Sequence, residues 1–246
     1  MDVHTELLPD PLPPDPLGLL ARWLEEALKA RHQPNPNAMV LATVGPDGKP
    51  SARVVLCKGL VPNPGYIVFY TNYHSRKGRE LTDHPRAAAV IHWDHLHRQV
   101  RVEGPIVQSP AEESDAYFAS RPWQSRVGAW ASQQSEPVDS RQKLVTAVDE
   151  ASKRFGITAP WQDSLPSQGA RPWQGALPSQ ASSPAGDPQV PRPPHWGGYR
   201  LWVDTIELWV EGAGRIHDRA RWNRTLERNP DDSFKVGHWN ATRLQP

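Results

Sequence analysis

Short apolar segments separated by turns recur along this chain, and they constrain its fold more than any other feature. Nine segments are typical of β-strands, because apolar and β-branched residues alternate or run between turn residues. They span residues 38–44, 51–58, 65–71, 86–93, 98–107, 197–204, 205–212, 214–222 and 241–244. The first two flank Asp47-Gly48, a dipeptide typical of hairpin turns. Strands at such short spacing, with few helices between them, predict a mostly antiparallel β-barrel with flanking helices, an α+β fold.

Four stretches have the pattern of α-helices. Asp15 and Pro16 suit the N-cap and first position of a helix that continues to about His32. Ser75 is suited to cap a short helix in SRKGRELTDHP, between the third and fourth predicted strands. Residues 110–120 and 140–155 also have helical patterns. We expect these helices to flank the barrel.

Two stretches are predicted to lack regular structure. Residues 1–14 are acidic and rich in proline, which predicts a flexible N-terminal arm ahead of a single domain over 15–246. Further on, PWQDSLPSQGAR and PWQGALPSQASS share the core PWQ-x-x-LPSQ at a period of twelve. Two copies are too few for a solenoid, which needs about three or more stacked units. Because Pro, Ser, Gln and Gly dominate, residues 157–188 are predicted to be a disordered insert.

The charge balance and the single cysteine exclude several classes of protein. The 246 residues hold 28 Lys and Arg against 27 Asp and Glu, so no general field attracts nucleic acid or an anionic membrane. Cys57 stands alone, which excludes an intrachain disulfide framework and a thiolate zinc site. The N-terminus lacks the pattern of a secretory signal, and no segment approaches the roughly 20 apolar residues of a membrane helix. A soluble, cytoplasmic protein is expected.

Some conspicuous residues are predicted to be structural. HWDHLHR (92–98) holds three histidines, but it has the pattern of strand, turn and strand, and we predict no metal site there. Cys57 lies on an apolar strand and is expected to behave as a small hydrophobic residue. Most of the eleven tryptophans are expected in the core and at interfaces.

Four basic clusters are the candidates for chemistry. They are Arg53 with Lys58, Ser75 to Arg79, Tyr117 with Arg121 and Ser125, and Arg215 with His217 and Arg219. On a chain of net charge +1, such local clusters indicate anionic ligands held at fixed points.

Each cluster has a functional and a structural interpretation. Arg76 and Lys77 at a helix N-terminus would make a phosphate cradle, although a capped surface helix with solvated cations has the same pattern. Tyr117 and Arg121 lie four apart and would bind phosphate from one helix face; alternatively the arginine serves the helix C-terminus. If residues 214–222 form a strand, the three cations of RIHDR share one face and would meet an anion or an electron-rich ring.

The motifs together resemble the pyridoxine/pyridoxamine 5′-phosphate oxidase family. The matching blocks are PNAMVLATV, DGKPSARVVLCKG, FYTNYHSRKGREL, HPRAAAVIHW, RQVRVEGPI, ESDAYFASRPWQSRVGAWASQQS, VPRPPHWGGYRLWVDTIELW, RIHDR and RLQP. They cover roughly residues 15–155 and 189–246. The resemblance implies a split-barrel FMN-binding fold and a homodimer with both active sites at its interface. It implies oxidation of pyridoxine or pyridoxamine 5′-phosphate to pyridoxal 5′-phosphate, by hydride transfer from C4′ to N5 of FMN, with O₂ as acceptor and H₂O₂ as product.

The resemblance also assigns site residues. Those implied to contact FMN are Arg53, Val54, Val55, Leu56, Cys57, Lys58, Tyr70, Thr71, Arg76, Lys77, Gln99, Gln134, Ser135, Trp209 and Arg219. Those implied to contact substrate are Lys58, Tyr117, Arg121, Ser125, Arg215 and His217. Arg215 and His217 are the implied catalytic residues, with Arg215 orienting the reacting carbon.

Two other functions remain open from the sequence. A related FMN oxidase of the phenazine-biosynthesis type would share the fold and the closing RLQP but act on a larger tricyclic acid. A carrier of FMN or pyridoxal phosphate without turnover would need the phosphate clusters, but it has no evident need for Arg215 together with His217. Nucleic-acid binding is disfavoured by the balanced charge.

Overall fold

The computed structural model describes residues 6–157 and 188–246, and antiparallel strands dominate them. The strands are β1 (Ala38–Val44), β2 (Pro50–Leu56), β3 (Gly59–Val61), β4 (Tyr66–Asn72), β5 (Arg86–Trp93), β6 (Arg98–Gln108), β7 (Trp196–Trp202), β8 (Thr205–Val210), β9 (Asp218–Asn223), β10 (Leu226–Arg228), β11 (Phe234–Val236) and β12 (Asn240–Leu244). Every strand pair in this part of the chain is antiparallel. The predicted flanked, mostly antiparallel barrel architecture is confirmed.

The long strand β6 joins two parts of the main sheet. Its first half pairs with β8, its last residues pair with β7, and β5 runs along much of its other edge. The main path runs β12-β9-β8-β6-β5-β1-β2, while β3, β4 and β7 continue from the far end of β6. Gly104 lies where β6 changes partner, and a Cβ there would overlap the carbonyl of Trp202. Glycine therefore permits the close backbone approach that curls the sheet.

Five helices flank the sheet in the described residues. They are α1 (Leu17–Ala30), α2 (Arg76–Asp83), α3 (Ala111–Ala119), α4 (Trp123–Ala131) and α5 (Arg141–Arg154). The predicted start of α2 is confirmed, because Ser75 Oγ caps it by accepting from Gly78 N at 3.3 Å. Helix α1 begins one residue later than predicted, with Pro16 at the N-cap, and Asp15 Oδ1 accepts from Leu17 N at 2.8 Å just before it. The apolar face of α1 is buried in the main core through Leu20, Trp23 and neighbouring residues.

Helix α4 was not anticipated from the sequence. Its apolar spacing is weak and it contains a glycine, so pattern alone gives little signal. The helix is stabilised by tertiary packing instead, since Val127 lies in an apolar cluster with Ala151 of α5, Ile157 and Val190. The short strands β3, β10 and β11 were missed for a similar reason, because three residues carry no readable period.

The prediction of a strand over 214–222 is wrong in its first part. Residues Ala213–Arg215 form a 3₁₀ turn, and β9 begins only at Asp218. A hydrogen bond from Gly212 N to His217 Nδ1 (3.2 Å) closes the loop, within which Gly214 has a φ of 63°. Arg215, His217 and Arg219 therefore do not share one strand face. Gly214 adopts the positive φ that this turn requires, and Gly212 permits the close approach of the Ile216 carbonyl, which a Cβ would overlap.

Residues 6–14, assigned to a flexible arm from the sequence, pack against the C-terminal strands. Leu8 is 5% exposed, and its N donates to Asp218 Oδ2 at 2.8 Å. The Pro13 carbonyl accepts from Trp222 Nε1 at 2.9 Å. These contacts fix the segment to β9, because each removes a polar group or an apolar side chain from water.

Much of the predicted insert lies outside the described residues, which exclude 1–5 and 158–187. Among the described residues, no helix has the length and apolar character needed to cross a membrane.

Candidate functional site

Lys77 forms the centre of a first cluster at the start of α2. It is only 9% exposed, and its Nζ donates to Thr71 Oγ1 (3.1 Å), Ser75 Oγ (3.2 Å) and Gln134 Oε1 (2.8 Å). All three acceptors are neutral. Burial, together with the nearby Arg53 charge, lowers the pKa of Lys77 to about 8. A buried ammonium beside a second cation is a site that an anion would stabilise.

Arg53 and Arg76 extend the first cluster and share one buried carboxylate. Arg53 Nη2 lies 3.1 Å from Glu80 Oε2, and Arg76 Nε lies 2.8 Å from Glu80 Oε1. Thr43 donates a short hydrogen bond to the same carboxylate. Burial raises the pKa of Glu80. Hydrogen bonds from Thr43, Arg76 and Arg53 outweigh this effect and hold the pKa below its usual value. The Glu80 carboxylate, which sequence reasoning missed, thus fixes the positions of both guanidinium groups.

The loop after α4 covers one side of this cluster. Gln134 accepts from Thr71 Oγ1 at 3.1 Å as well as from Lys77, and Asn72 Nδ2 donates to the Ser132 carbonyl at 3.3 Å. Ser135 is exposed and has a φ of 76°, so its backbone turns away after Gln134. A cleft of about 420 Å³ opens beside this loop, and its other walls include Asn72 at the end of β4, Arg79 of α2 and His195. The structure therefore brings Gln134 next to Thr71 and Lys77, two other residues that the resemblance assigns to FMN.

A second cluster is built on three nearly parallel aromatic rings. Tyr70 stacks on Tyr117 with ring centroids 3.9 Å apart and planes at 12°, and it stacks on Trp196 at 5.5 Å and 9°. Burial raises the pKa of Tyr70, whose hydroxyl is buried without a hydrogen-bond partner in the described chain. Tyr70 and Thr71 are neighbours on β4, so this strand connects the first cluster to the second.

Arg121 is the cation of the second cluster. Its Cζ lies 4.6 Å from the centre of the Trp196 ring and 5.3 Å from that of Phe118. Its Nη1 is buried with no hydrogen-bond partner among the described residues, and burial lowers its pKa to about 10. Burial likewise lowers the pKa of Lys58, and the nearby Arg121 charge lowers it further. A desolvated guanidinium with an open donor suits an anionic ligand.

Helix α3 ends before Arg121, contrary to the assumption that Tyr117 and Arg121 share one helix face. The helix stops at Ala119, and Arg121 N donates to the Phe118 carbonyl at 3.1 Å. Arg121 comes near Tyr117 because both pack on Trp196, not because of helical spacing. Ser125 lies half-buried in the first turn of α4.

Two glycines after Trp196 let β7 approach the tyrosines closely. A Cβ on Gly198 would lie 2.6 Å from Ser109 Oγ and 2.8 Å from Tyr70 Cε1. A Cβ on Gly197 would overlap the Tyr73 hydroxyl. The sequence Trp-Gly-Gly was therefore a usable signal for a packed aromatic site, although sequence reasoning did not single out Trp196.

A third cluster lies across β6, β8 and β9. Gln99 is paired with Trp209, and Trp209 with Arg219, so the three side chains share one face. Arg219 donates from Nε and Nη2 to Glu207 Oε1 at 3.1 and 2.9 Å. Glu207 therefore supplies a negative charge at Arg219 that the sequence argument did not include.

His217 and Arg215 lie in the loop before β9. The His217 ring packs on Trp209 with centroids 4.7 Å apart, and its Nδ1 accepts from Gly212 N, which places the proton of the neutral ring on Nε2. Arg215 is exposed with a φ of 66°. No hydrogen bond, ion pair or ring contact in the described part of the chain joins these residues to the first two clusters.

Asp218, between His217 and Arg219, has a structural role. Its Oδ1 lies 2.6 Å from Arg243 Nη1 of β12, while Oδ2 accepts from Leu8 N.

Comparison with known proteins decides the family. Residues 24–155 match the family described as pyridoxamine 5′-phosphate oxidase, and residues 196–246 match the pyridoxine 5′-phosphate oxidase C-terminal dimerisation region. The chain belongs to the pyridoxine/pyridoxamine 5′-phosphate oxidase family.

Individual members of the pyridoxine/pyridoxamine 5′-phosphate oxidase family align along most of the chain. The pyridoxine/pyridoxamine 5′-phosphate oxidase of Burkholderia lata is 46% identical over 232 residues, which cover 94% of this chain and 89% of that protein. The protein of the same name from Burkholderia cenocepacia is 46% identical over 233 residues, which cover 95% and 90%.

Two solved structures resemble this one over nearly their full length. PhzG from Burkholderia lata, in complex with tetrahydrophenazine-1-carboxylic acid, has a TM-score of 0.71 and 30% identity, and the match covers 96% of this chain and 95% of that one. A pyridoxamine 5′-phosphate oxidase-related, FMN-binding protein from Nostoc punctiforme has a TM-score of 0.58 and 16% identity, covering 93% and 96%, and it supports the fold alone. The split-barrel fold implied by the resemblance is confirmed.

The remaining residues that family resemblance assigns to the cofactor lie along and after β2. Arg53 and Val55 point to the core side, whereas Val54 is 65% exposed on the opposite face, because side chains alternate along a strand. Leu56 is half-buried at the end of β2. Cys57 is fully buried, and burial raises the pKa of its thiol to about 12, as expected for a residue that packs rather than reacts.

In this family member, the three histidines of HWDHLHR do not meet at one point. His95 packs on His32 with ring centroids 4.7 Å apart, and His97 pairs with Glu211. Within residues 6–157 and 188–246, no group of three or more His, Cys, Asp or Glu could hold a metal ion.

Proposed function

We propose that this protein is an FMN-dependent oxidase that converts pyridoxine 5′-phosphate and pyridoxamine 5′-phosphate to pyridoxal 5′-phosphate. One observation carries the proposal: two desolvated cation clusters are built on neighbouring residues of β4, Tyr70 and Thr71. Lys77 lies against Thr71, and the Arg121 cluster contains Tyr70. A reaction between two phosphate-bearing molecules, held side by side, needs such a pair of sites.

The first cluster fits the phosphate of FMN. Lys77 is desolvated and has only neutral partners, while Arg53 and Arg76 lie nearby on a common carboxylate. The start of α2 adds a helix N-terminus to these cations. When bound, FMN would supply the redox chemistry, accepting a hydride from substrate C4′ and passing two electrons to O₂ to give H₂O₂. The chain contributes binding and orientation.

The second cluster fits the phosphate of the substrate. Arg121 presents an unpaired Nη1, and Lys58 adds a second partly desolvated charge. Tyr117 and Ser125 would supply hydroxyl donors to the remaining phosphate oxygens. A planar guanidinium suits bidentate contact with phosphate, and lysine acts as a point charge.

Arg215 and His217 would act in a site shared between two protomers of a homodimer. Residues 196–246 match a dimerisation region, and Arg215 is exposed with no ion pair in the described chain. In this arrangement Arg215 orients the vitamin ring, and His217 positions it with the proton on Nε2. Gln99, Trp209 and Arg219 would border the flavin from the same sheet face.

A phenazine-type oxidase is the second candidate, and the 30% identity to PhzG supports it. That protein was solved with a tricyclic acid that carries no phosphate. The combination of Lys58, Tyr117, Arg121 and Ser125 favours a phosphorylated substrate instead, because two cations and two hydroxyl groups match the charge and the several oxygens of a phosphate dianion better than one carboxylate.

Aerobic turnover distinguishes the two candidates. FMN-loaded protein is supplied with pyridoxamine 5′-phosphate, pyridoxine 5′-phosphate or their unphosphorylated forms, and pyridoxal 5′-phosphate and H₂O₂ are measured. We expect equal amounts of both products from the phosphorylated vitamers and little from the others. Turnover of tetrahydrophenazine-1-carboxylic acid, with none of either phosphorylated vitamer, would assign the second function.

A further inference from the structure

Trp196 is the common neighbour of the residues in the second cluster. Its ring is parallel to Tyr117 within 5° at a centroid distance of 6.2 Å, and parallel to Tyr70 within 9°. The Arg121 guanidinium carbon lies 4.6 Å from its centroid. One indole ring therefore contacts both a tyrosine and the arginine of the expected substrate-phosphate site.

Arg121 has no acidic residue to orient it in the described chain. Its recorded side-chain contacts there are the faces of Phe118 and Trp196, and its Nη1 has no hydrogen-bond partner. Three other partly buried arginines differ: Arg219 is held by Glu207 and Arg53 by Glu80, while Arg224 donates to three backbone carbonyls. Cation–π contact is strongest with tryptophan and increases with desolvation, so Trp196 is the main determinant of the guanidinium position.

Trp196 is itself held rigidly. It is 7% exposed, and Phe118 packs against it edge-on with centroids 5.0 Å apart. It is paired with Asn72 at the end of β4, so the register between β4 and β7 fixes its position along the strands relative to Tyr70. Its carbonyl accepts from Arg192 Nη1 at 2.7 Å. A ring fixed on several sides can transmit its position to Arg121.

We propose that Trp196 is a positioning residue that sets the preference for phosphorylated over unphosphorylated substrate. It holds the Arg121 guanidinium over the indole ring, with Nη1 free to meet a phosphate oxygen. This inference rests on the proposed function and concerns the same site. Because Trp196 acts through Arg121, its loss weakens phosphate recognition and leaves the FMN phosphate cluster at Lys77 intact.

The test compares Trp196→Leu and Trp196→Phe with the wild type. Binding of pyridoxal 5′-phosphate and of pyridoxal is titrated on the FMN-loaded protein, and FMN affinity is measured by flavin fluorescence. Trp239→Phe is the matched control, because Trp239 also contacts an arginine, with Arg224 Cζ 4.3 Å from its ring centre, away from the stack. Steady-state KM and kcat for pyridoxamine 5′-phosphate complete the comparison.

We expect Trp196→Leu to weaken pyridoxal 5′-phosphate binding by about 5- to 30-fold, the range of a desolvated cation–π contact. Pyridoxal and FMN affinities should change by less than about twofold, and KM should rise more than kcat falls. Trp196→Phe, which keeps a weaker aromatic face, should lie between. If Trp196→Leu does not fold, a loss of phosphate preference in Trp196→Phe supports the proposal, and an unchanged preference overturns it.

Two other outcomes would overturn the inference. Unchanged pyridoxal 5′-phosphate affinity in Trp196→Leu would show that Arg121 is positioned without the indole. An equal loss of FMN and pyridoxal 5′-phosphate affinity would indicate a general structural role. If the wild type does not prefer pyridoxal 5′-phosphate to pyridoxal, the proposed function itself fails, which is a separate result.

Discussion

At the scale of single residues, burial without an acidic hydrogen-bond partner distinguishes Lys77 and Arg121 from the other cations of the candidate site. Lys77 has three neutral partners, and Arg121 has aromatic faces and an open donor. Elsewhere, Arg219 is paired with Glu207 and Arg200 with Glu113. A cation that is desolvated but unpaired lowers the stability of the folded chain unless a ligand meets it. Such residues therefore indicate where anions bind.

The pH dependence of FMN binding should report Lys77. Its pKa of about 8 in the folded protein lies below the usual lysine value, so it loses its proton as the pH rises through 8. A phosphate ester is already a dianion there, because its second pKa is about 6. Affinity should therefore be level between about pH 6 and pH 8 and fall above pH 8, as measured by flavin fluorescence quenching.

Two variants at this position test that assignment. Lys77→Met should weaken FMN binding by about 1.5–3 kcal/mol and remove the break near pH 8, since no proton is lost. Lys77→Arg keeps the charge and should also lose the break. If FMN affinity still began to fall near pH 8 in both variants, the pH dependence would belong to another titratable group.

Arg121→Met should act on the substrate alone. The change removes one charge-assisted phosphate contact, worth about 1.5–3 kcal/mol, so KM for pyridoxamine 5′-phosphate should rise by roughly 10- to 100-fold. FMN affinity should stay within about twofold of the wild type, because Arg121 does not contact the Lys77 cluster. Unchanged KM would show that the phosphate binds elsewhere.

At the scale of elements, the alternation of apolar and polar residues, together with the turn residues between segments, predicted most of the strands of the sheet. The bounds of β1 and β5 coincide with the predicted segments, since both alternate buried and exposed residues between clear turns. The start of β9 was predicted wrongly, because Gly212 and Gly214 allow a turn that alternation does not show. Helix α4 is stabilised by packing against α5, so its own sequence shows only a weak helical pattern.

The composition of the candidate site could be predicted only in part. Lys77 and Arg121 carry recognisable motifs, and the structure brings each into a buried cluster. Glu80 and Trp196 could not be predicted, because their contacts join segments distant in sequence: Glu80 meets Arg53, and Trp196 meets Arg121. The fold of the sheet determines these long-range contacts, and a local sequence pattern does not predict them.

The change of partner along β6 gives a prediction for the sheet. Gly104→Ala places a Cβ onto the Trp202 carbonyl, which is backbone and cannot rotate away. We expect the free energy of unfolding in urea to fall by about 1–3 kcal/mol or more. The control is Gly18→Ala in α1, where no atom lies within 4 Å of the new Cβ. It should stabilise the protein by about 0.5–1 kcal/mol. Equal stability of the two variants would contradict the close approach.

At the scale of the whole molecule, one face of the sheet is apolar and exposed. Val40 is 43% exposed and Val54 is 65% exposed, and the two are paired across β1 and β2. Val90 of β5 is paired with Val40 on its other side. An apolar strip on a sheet face favours association, and the chain contains a matched dimerisation region at 196–246. We expect a homodimer to bury this strip and, as proposed above, to complete a site at Arg215.

Val40→Lys should therefore weaken the dimer and the activity together. A lysine in the strip would be desolvated on association without a partner, so sedimentation velocity at micromolar concentration should show monomer. Turnover should fall with it, because Arg215 would no longer reach a shared site. Val40→Ile keeps the strip apolar and should remain dimeric. A monomeric Val40→Lys protein with full activity would show that each chain holds a complete site.

An anaerobic titration tests whether this chain oxidises a phosphorylated B6 vitamer with bound FMN. Purified protein is loaded with FMN, pyridoxine 5′-phosphate or pyridoxamine 5′-phosphate is added without oxygen, and the visible flavin absorbance is followed. We predict bleaching that reverses on admitting air, with one pyridoxal 5′-phosphate formed per flavin reduced. A bound flavin that neither vitamer bleaches would contradict the account.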